Sequence, residues 1–297
     1  MEENNDLVIK SNSLATASYN LTVIEFRILQ MVFAEISKEK SSDHFHAAHE
    51  FRVYAKEYAS LFNVSDNTAY ESLQYAANRL FNRYFSFYIL ARKENVKLRW
   101  IQKVIYSDAN GYIGLQLTSD VLAMVGRTPS YFTRYKIKQI TNLTSIYALK
   151  LYEVISSYSG MIKCTPIIEI NELRGILGVE EHEYLRMDNF KARVLDVAIK
   201  QINDHSNFQI EYKQHKKGRA IYGFSFDFIE FKEKSQVRDP NTIDWVDEQN
   251  QQASKPKRKK ISEFEASQLA KPGEEWPDLL KRIGSKYHVV FNKENNK

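Results

Sequence analysis

Two stretches of this sequence carry side chains suited to acting on a partner. In the first, Asn189, Lys191, Arg193 and Lys200 are interleaved with Leu195, Ala198, Ile199 and Ile202, which recur at helical spacing. With those apolar residues turned inward, a rotation of about 100° per residue carries Arg193 and Lys200 to the outer face. Asn189 falls near that face, and Lys191 stands toward the N-terminal end, where base-reading helices approach their target. An arginine fork matches guanine O6 and N7, and an asparagine amide matches adenine. The second stretch is Lys216-Lys217-Gly218-Arg219, cations around a glycine that permits a tight turn. Such a tip suits a phosphate or the minor groove. Taken singly, these charges are what any solvated helix face or solubilising hairpin carries. Their meaning depends on the elements that hold them.

A second chemistry is spelled by two short patterns. His44-Phe45-His46 has the form of a metal-binding pair, and Tyr147-Ala148-Leu149-Lys150 that of a nucleophilic tyrosine with a lysine three residues on. Together they would suit a rolling-circle nicking endonuclease, in which tyrosine attacks a phosphate beside a divalent ion. Against this, the histidines sit among Ser41, Ser42 and Asp43 in a polar loop, and Tyr147 lies inside an apolar helix. No Gly-x4-Gly-Lys-Ser/Thr phosphate loop is present. Cys164 is the only cysteine, which rules out an internal disulfide and a cysteine-cluster metal site; a buried, inert thiol is expected. The expectation is a non-enzyme with no metal and no cofactor.

The elements that must position the basic residues are laid out as one plan used twice. Thr22-Val23-Ile24-Glu25 is a capping box opening a helix whose apolar face is Ile24, Ile28, Leu29, Val32, Phe33 and Ile36. A short β-prone piece, Phe51-Arg52-Val53, precedes a compact helix from Ala55 to Phe62 and, after a break at Asn63 to Asp66, a longer helix from about Asn67 to Asn82. β-rich segments follow at Tyr84–Ala91, Leu98–Tyr106 and Tyr112–Leu117, with Arg92 to Lys97 as a charged hairpin that makes this half a winged helix. The phenylalanines and tyrosines at 84–88 are expected to pack in the core.

The second half repeats the order. A helix opens at Leu143-Thr144-Ser145-Ile146, a strand covers Ile167 to Ile170, and Asn171 caps a compact helix ending at Gly178. A long helix spans about Asp188 to Asn203, and strands Phe208–Tyr212 and Ile221–Phe228 flank Lys213 to Arg219. Leu73, Ala76, Ala77 and Leu80 in the first long helix match Leu195, Ala198, Ile199 and Ile202 in the second. By the same geometry the first long helix faces Asn67, Thr68, Glu71, Tyr75 and Asn78 outward, with Arg79 at the edge; positive charge lies instead at Arg92, Lys93, Lys97 and Arg99. That pattern suits positioning on a phosphate backbone more than dense base reading.

The totals agree. A chain of 297 residues, 43% hydrophobic and 13% aromatic, holds two domains with full cores. The opening Glu2, Glu3, Asn4, Asn5 and Asp6 lack the charge of a secretory leader, and no stretch reaches the roughly 20 apolar residues of a membrane span, so a soluble cytoplasmic protein is expected. Net charge is +5, matched by Lys255, Lys257, Arg258, Lys259 and Lys260 alone. The reading is an α+β chain of two tandem winged-helix domains, residues 1–127 and 128–234, with a boundary at Gly126-Arg127-Thr128-Pro129 and a flexible, mostly disordered basic tail over 235–297.

These residues resemble the iteron-binding plasmid replication initiators, the Rep proteins, over about residues 8 to 232. The carriers are Tyr58-Ala59-x-Leu61-Phe62-x-Val64-Ser65-x-Asn67-Thr68-Ala69-Tyr70-Glu71, then Ser145-Ile146-Tyr147-Ala148-x-Lys150-Leu151-Tyr152-Glu153, and Tyr184-x-Arg186-Met187-x-x-Phe190 followed by Lys216-Lys217-Gly218-Arg219 and Phe224-Ser225-Phe226. The resemblance implies that the second domain, with Arg186 and Lys213 in its contact set, does most of the sequence-specific binding of double-stranded DNA. It implies that the first domain adds DNA contact and dimerisation. It further implies monomers on direct repeats that open an origin, dimers on an inverted repeat that repress the chain's own promoter, and recruitment of the host initiator and replicative helicase. Lys191-Ala192-Arg193 departs from the pattern in being less arginine-rich, which leaves base preference open. A winged-helix transcriptional repressor without initiator activity is the alternative that fold alone does not separate.

Removing Lys255 to Lys260 is expected to weaken all DNA binding and flatten its salt dependence while sequence preference stays. An unaltered slope of log K against log salt would show that the run touches no phosphate.

Overall fold

A computed structural model of the chain describes residues 6–38, 45–89, 92–126, 131–231, 259–262, 265–266, 269, 276–283 and 287–290. It divides into two compact units, Met1–Glu233 and Lys234–Lys297.

The larger unit begins with β1 (Leu7–Ser11), α1 (Asn12–Ala15) and β2 (Ser18–Tyr19). The capping box then forms as its sequence requires: Thr22 N–H donates to Glu25 Oε2 (2.7 Å) and Glu25 N–H to Thr22 Oγ1 (3.3 Å). It starts α2 (Val23–Lys38), which buries Phe26, Leu29, Val32, Phe33 and Ile36. β3 (Phe51–Tyr54) leads into α3 (Ala55–Phe62), Asn63 turns the chain with a left-handed φ of 51°, and α4 (Asp66–Phe81) buries Ala69, Leu73, Ala76, Ala77 and Leu80.

The strands behind this helix-turn-helix depart from the sequence reading. Leu98–Tyr106 is not one segment: it breaks at Trp100 into β5 (Glu94–Arg99) and β6 (Ile101–Ser107). Trp100 and Ile101 are both buried, and consecutive residues of one strand cannot share a face, so the chain changes sheets there. β4 (Tyr84–Ile89) and β5 pair with β2, whereas β6 and β7 (Tyr112–Leu117) close on β3. The wing of the first domain is therefore β6–β7, with its tip at Asp108–Gly111, and not the hairpin carrying Arg92, Lys93 and Lys97. On β4 only Phe85 is fully buried, while Tyr84 and Tyr88 face outward, the alternation of a strand covered on one side.

After α5 (Ser119–Ala123), β8 (Phe132–Lys136) returns to pair with β1, and α6 (Ile146–Ser159) runs through the interior. β9 (Ile168–Glu169), α7 (Ile170–Leu177), α8 (Met187–Phe190), a π-helical turn over Lys191–Leu195, α9 (Asp196–His205), β10 (Phe208–Lys217) and β11 (Ala220–Glu230) complete the second winged helix, with the sheet ordered β10-β11-β9. Here α7 begins at Ile170 with Glu169 as its N-cap, two residues ahead of the expected Asn171 cap. Lys213 to Lys217 lie within β10 rather than in a loop between shorter strands. Cys164 is half-buried, its thiol donating to Thr165 O at 3.3 Å.

A buried polar cluster ties β1, β2 and β8 to α6. Lys10 of β1 is ion-paired with Glu153 of α6, both fully buried. Tyr19 OH donates to Glu153 Oε2 (3.1 Å), and Tyr135 OH donates to Glu153 Oε1 (2.5 Å) while lying 2.7 Å from the Gln30 side chain. Lys150, one turn before Glu153, donates to Tyr19 O (2.9 Å) with its ammonium 3.3 Å from the Tyr19 ring centre. Burial holds both lysines below the ordinary lysine range and pushes the Tyr19 and Tyr135 phenols well above theirs.

In the smaller unit, β12 (Lys259–Ser262) pairs in parallel with β13 (Tyr287–Val290), and α10 (Trp276–Ile283) buries Leu279 and Ile283 against Ala266. Lys255 to Arg258 and most of the expected tail lie outside the described residues.

Glu153→Leu is expected to destabilise the larger unit by about 3–5 kcal/mol, because one change strands a buried ammonium and two phenols. Urea unfolding measures it; a loss below 1 kcal/mol would mean that water reaches the cluster.

Candidate nucleic-acid interface

In the second winged helix the outer surface is built on one continuous helical run, α8 through α9. Phe190, Val194, Ala198 and Ile202 are buried at four-residue steps, with Leu195 beside them. Four-residue steps drift by about 40° per turn in a pure α-helix, and the wider π turn over Lys191–Leu195 takes up that drift. Asp196 N–H donates to Lys191 O, the five-residue bond of such a turn. Asn189, Arg193 and Lys200 are exposed as the sequence predicts, and Lys191 is half-buried. Arg186, at the N-cap of α8, is exposed and clamped by Asp188, with Nη2–Oδ2 at 2.7 Å and Nε–Oδ1 at 3.2 Å. That contact holds the Asp188 carboxyl below the usual carboxylate range.

The helix and its wing form one stiff piece. Asn203 bonds Ile210 of β10 through both ends of its amide (2.7 and 3.1 Å), and Tyr212 OH donates to Asp196 Oδ1 at 3.1 Å. Gln201 Oε1 accepts from the N–H groups of Thr144 and Ser145, so the same run also caps α6. At the wing tip Gly218 has φ +65°, and Lys216, Lys217 and Arg219 are exposed around it. Lys213 lies lower on the wing, exposed and paired with Asp227 at 2.7 Å. Sequence reasoning missed Arg174. Its guanidinium donates to the carbonyls of Glu180 (2.9 Å), Glu183 (2.5 Å) and Tyr184 (3.2 Å) and lies over the Phe190 ring, fixing the turn that enters α8.

The first winged helix presents a different surface. Asn67, Thr68, Glu71, Tyr75 and Asn78 are exposed along α4. Arg79 is not a free edge cation: its Nε stands 3.2 Å from the buried Glu25 carboxylate, with Arg83 at 3.5 Å, so it binds α4 to α2. At the wing tip Asp108 accepts from Tyr70 OH (2.7 Å) and Gln74 Nε2 (2.8 Å), which ties the wing down to α4. Arg92, Lys93 and Lys97 are exposed on the separate β4–β5 hairpin, Lys97 with its ammonium 3.4 Å from the Tyr84 ring centre.

Two residues of the alternative tyrosine chemistry are held in other contacts. Lys150 is wholly buried against Tyr19, and Tyr147 packs edge-on to Tyr184 with its phenol pushed up by burial. His44 lies outside the described residues. Among the described residues no group of three or more His, Cys, Asp and Glu side chains is arranged to hold a metal ion. None of the described helices is long and apolar enough to cross a membrane.

Comparison with known proteins agrees with this architecture. An uncharacterized 27.6 kDa protein of Escherichia coli is 22% identical over 223 residues, covering 72% of this chain and 92% of the relative. Among solved structures, the Pi initiator protein, determined in complex with iteron DNA, superposes with a TM-score of 0.64 at 23% identity, covering 78% of this chain and all of the other. At that identity the likeness speaks for the fold. Two family models match in order, Initiator Replication protein WH1 over residues 7–156 and Initiator Rep protein WH2 over residues 169–228. The chain, with its two tandem winged-helix domains, belongs to the initiator Rep protein family.

Proposed function

We propose that this protein initiates plasmid DNA replication by binding direct repeats at an origin. It then opens the duplex and recruits the host initiator and replicative helicase. As a dimer it represses its own promoter on an inverted repeat, the monomer–dimer balance setting which role it plays, all in the cytoplasm. The observation that carries the DNA-binding part is the second winged helix, whose exposed Asn189, Arg193 and Lys200 and basic wing tip are locked to one another by Asn203 and Tyr212. A stiff helix with a basic wing delivers cations to phosphate and amide and guanidinium groups to base edges in one docking event. The Pi initiator, whose fold this chain shares, was solved with iteron DNA, which supports the same use here. The first domain positions on the backbone and pairs with a second copy. The reading contains no catalytic step, in keeping with the burial of Lys150.

Selection from random duplex DNA, followed by footprinting on the encoding plasmid, tests the proposal. The expected product is an asymmetric site of about two helical turns, repeated head-to-tail near the coding region. A lone inverted repeat over a promoter would make the chain a repressor, and no duplex preference would refute DNA reading altogether. On the selected site Arg193→Ala is expected to cost about 1–3 kcal/mol and to relax preference at one base pair. Unchanged discrimination among base variants would remove Arg193 from the reading set.

A further inference from the structure

Leu185 is the most exposed large apolar residue among those described, at 78% of its full accessibility. It stands immediately before Arg186, the N-cap of the helix that carries Asn189 and Arg193. Arg186, Asp188 and Asn189 beside it are exposed and polar; Tyr184 and Met187 turn partly into the core, and Leu185 borders the cavity that they line with Phe190.

Its exposure is built rather than incidental. The preceding Tyr184 holds a left-handed φ of 43°, a conformation that bulky residues avoid unless their surroundings impose it. The surroundings are on hand. Arg174 grips Tyr184 O, Glu183 O and Glu180 O, and the Tyr147 ring meets the Tyr184 ring edge-on with centroids 6.3 Å apart. Glu180 N–H donates to Glu183 Oε2 at 2.9 Å, closing the same turn on itself. Arg174 also lies over Phe190, so the hook and the helix are held by one guanidinium. The strained residue thus sits inside a tethered turn, and the side chain that follows it is sent into solvent at the N-terminal end of the helix, the end by which base-reading helices approach a groove.

An isobutyl group at that position has one apolar counterpart in a major groove, the C5-methyl of thymine. We propose that Leu185 is a specificity-determining residue that recognises a thymine methyl beside the base pairs reached by Asn189 and Arg193. The inference rests on the DNA-reading function proposed above. It adds a reader that works by excluding water from a methyl group, where the others work by hydrogen bonds.

The test uses the full chain and its selected site, in a series of duplexes each with one thymine replaced by deoxyuridine. Equilibrium affinities are measured for the native protein, Leu185→Ala and Leu185→Met. In the native protein one replacement is expected to weaken binding about fourfold, the value of one buried methyl. Leu185→Ala should bind the thymine and deoxyuridine duplexes equally at that position alone, and Leu185→Met should keep part of the difference. If Leu185→Ala retains every deoxyuridine effect of the native protein, or the native protein shows none, Leu185 reads no methyl. If the native protein prefers no duplex sequence, the DNA-reading function fails and takes this inference with it. Leu185 contributes nothing to the core, so a folding defect does not confuse these outcomes; circular dichroism of the variants checks that directly.

Discussion

The arrangement of the larger unit depends on one buried carboxylate, that of Glu153. A charge removed from water must be met by partners of fixed geometry, and Glu153 draws them from β1, β2 and β8 through Lys10, Tyr19 and Tyr135. Gln30 of α2 joins through Tyr135, and Lys150 of α6 through the carbonyl of Tyr19. Apolar packing around these groups is extensive but non-directional; many sliding arrangements would bury nearly as much. The polar cluster accepts few of them. It fixes the N-terminal segment and β8 against α6, the helix whose start is bonded by Gln201 of α9.

From that fixed helix the second domain is assembled by side chains that bridge elements. Gln201 caps α6, Asn203 and Asp196 grip β10, and Arg174 holds the turn ahead of α8. None of these contacts reaches outward, yet each sets the angle at which Asn189, Arg193 and the wing tip are presented. The first domain spends its comparable residues inward. Arg79 and Arg83 neutralise Glu25, and Tyr70 and Gln74 hold Asp108. Two copies of one architecture have thus been turned to different ends by which side chains were committed to holding it together.

Local signals were the legible ones. The Thr22–Glu25 capping box, the buried face of α4 and the glycine turn at Gly218 follow from neighbours within a few residues, and the structure contains each of them; in the second long helix Ile199 of the expected face is only partly buried, and Phe190 and Val194 join the buried line. Strand partnership was not legible, because β3 chooses β7 across a long stretch of chain and the charged β4–β5 hairpin looks locally like any wing. A signal was present at Trp100-Ile101, where adjacent large apolar residues contradict a single alternating strand. The four-residue steps from Phe190 to Ile202 likewise foretold an under-wound turn. Charged residues with inward roles were the hardest to see. Lys10, Glu153, Arg79 and Arg174 have surface composition, and only the fold supplies the carboxylate or the carbonyls that draw them in.

The acidic, tied-down tip of the first wing gives the molecule a compass sense. On the DNA-reading function proposed above, a duplex crossing both domains would meet Asp108 at one wing and Lys216, Lys217 and Arg219 at the other. Displacement of condensed cations would then differ between the two wings. Turning the protein end for end would set its strongest attraction over the wrong stretch of backbone. Copies seated on successive like-facing sites would therefore line up as arrows in a row, each offering the same flank to whatever lies downstream.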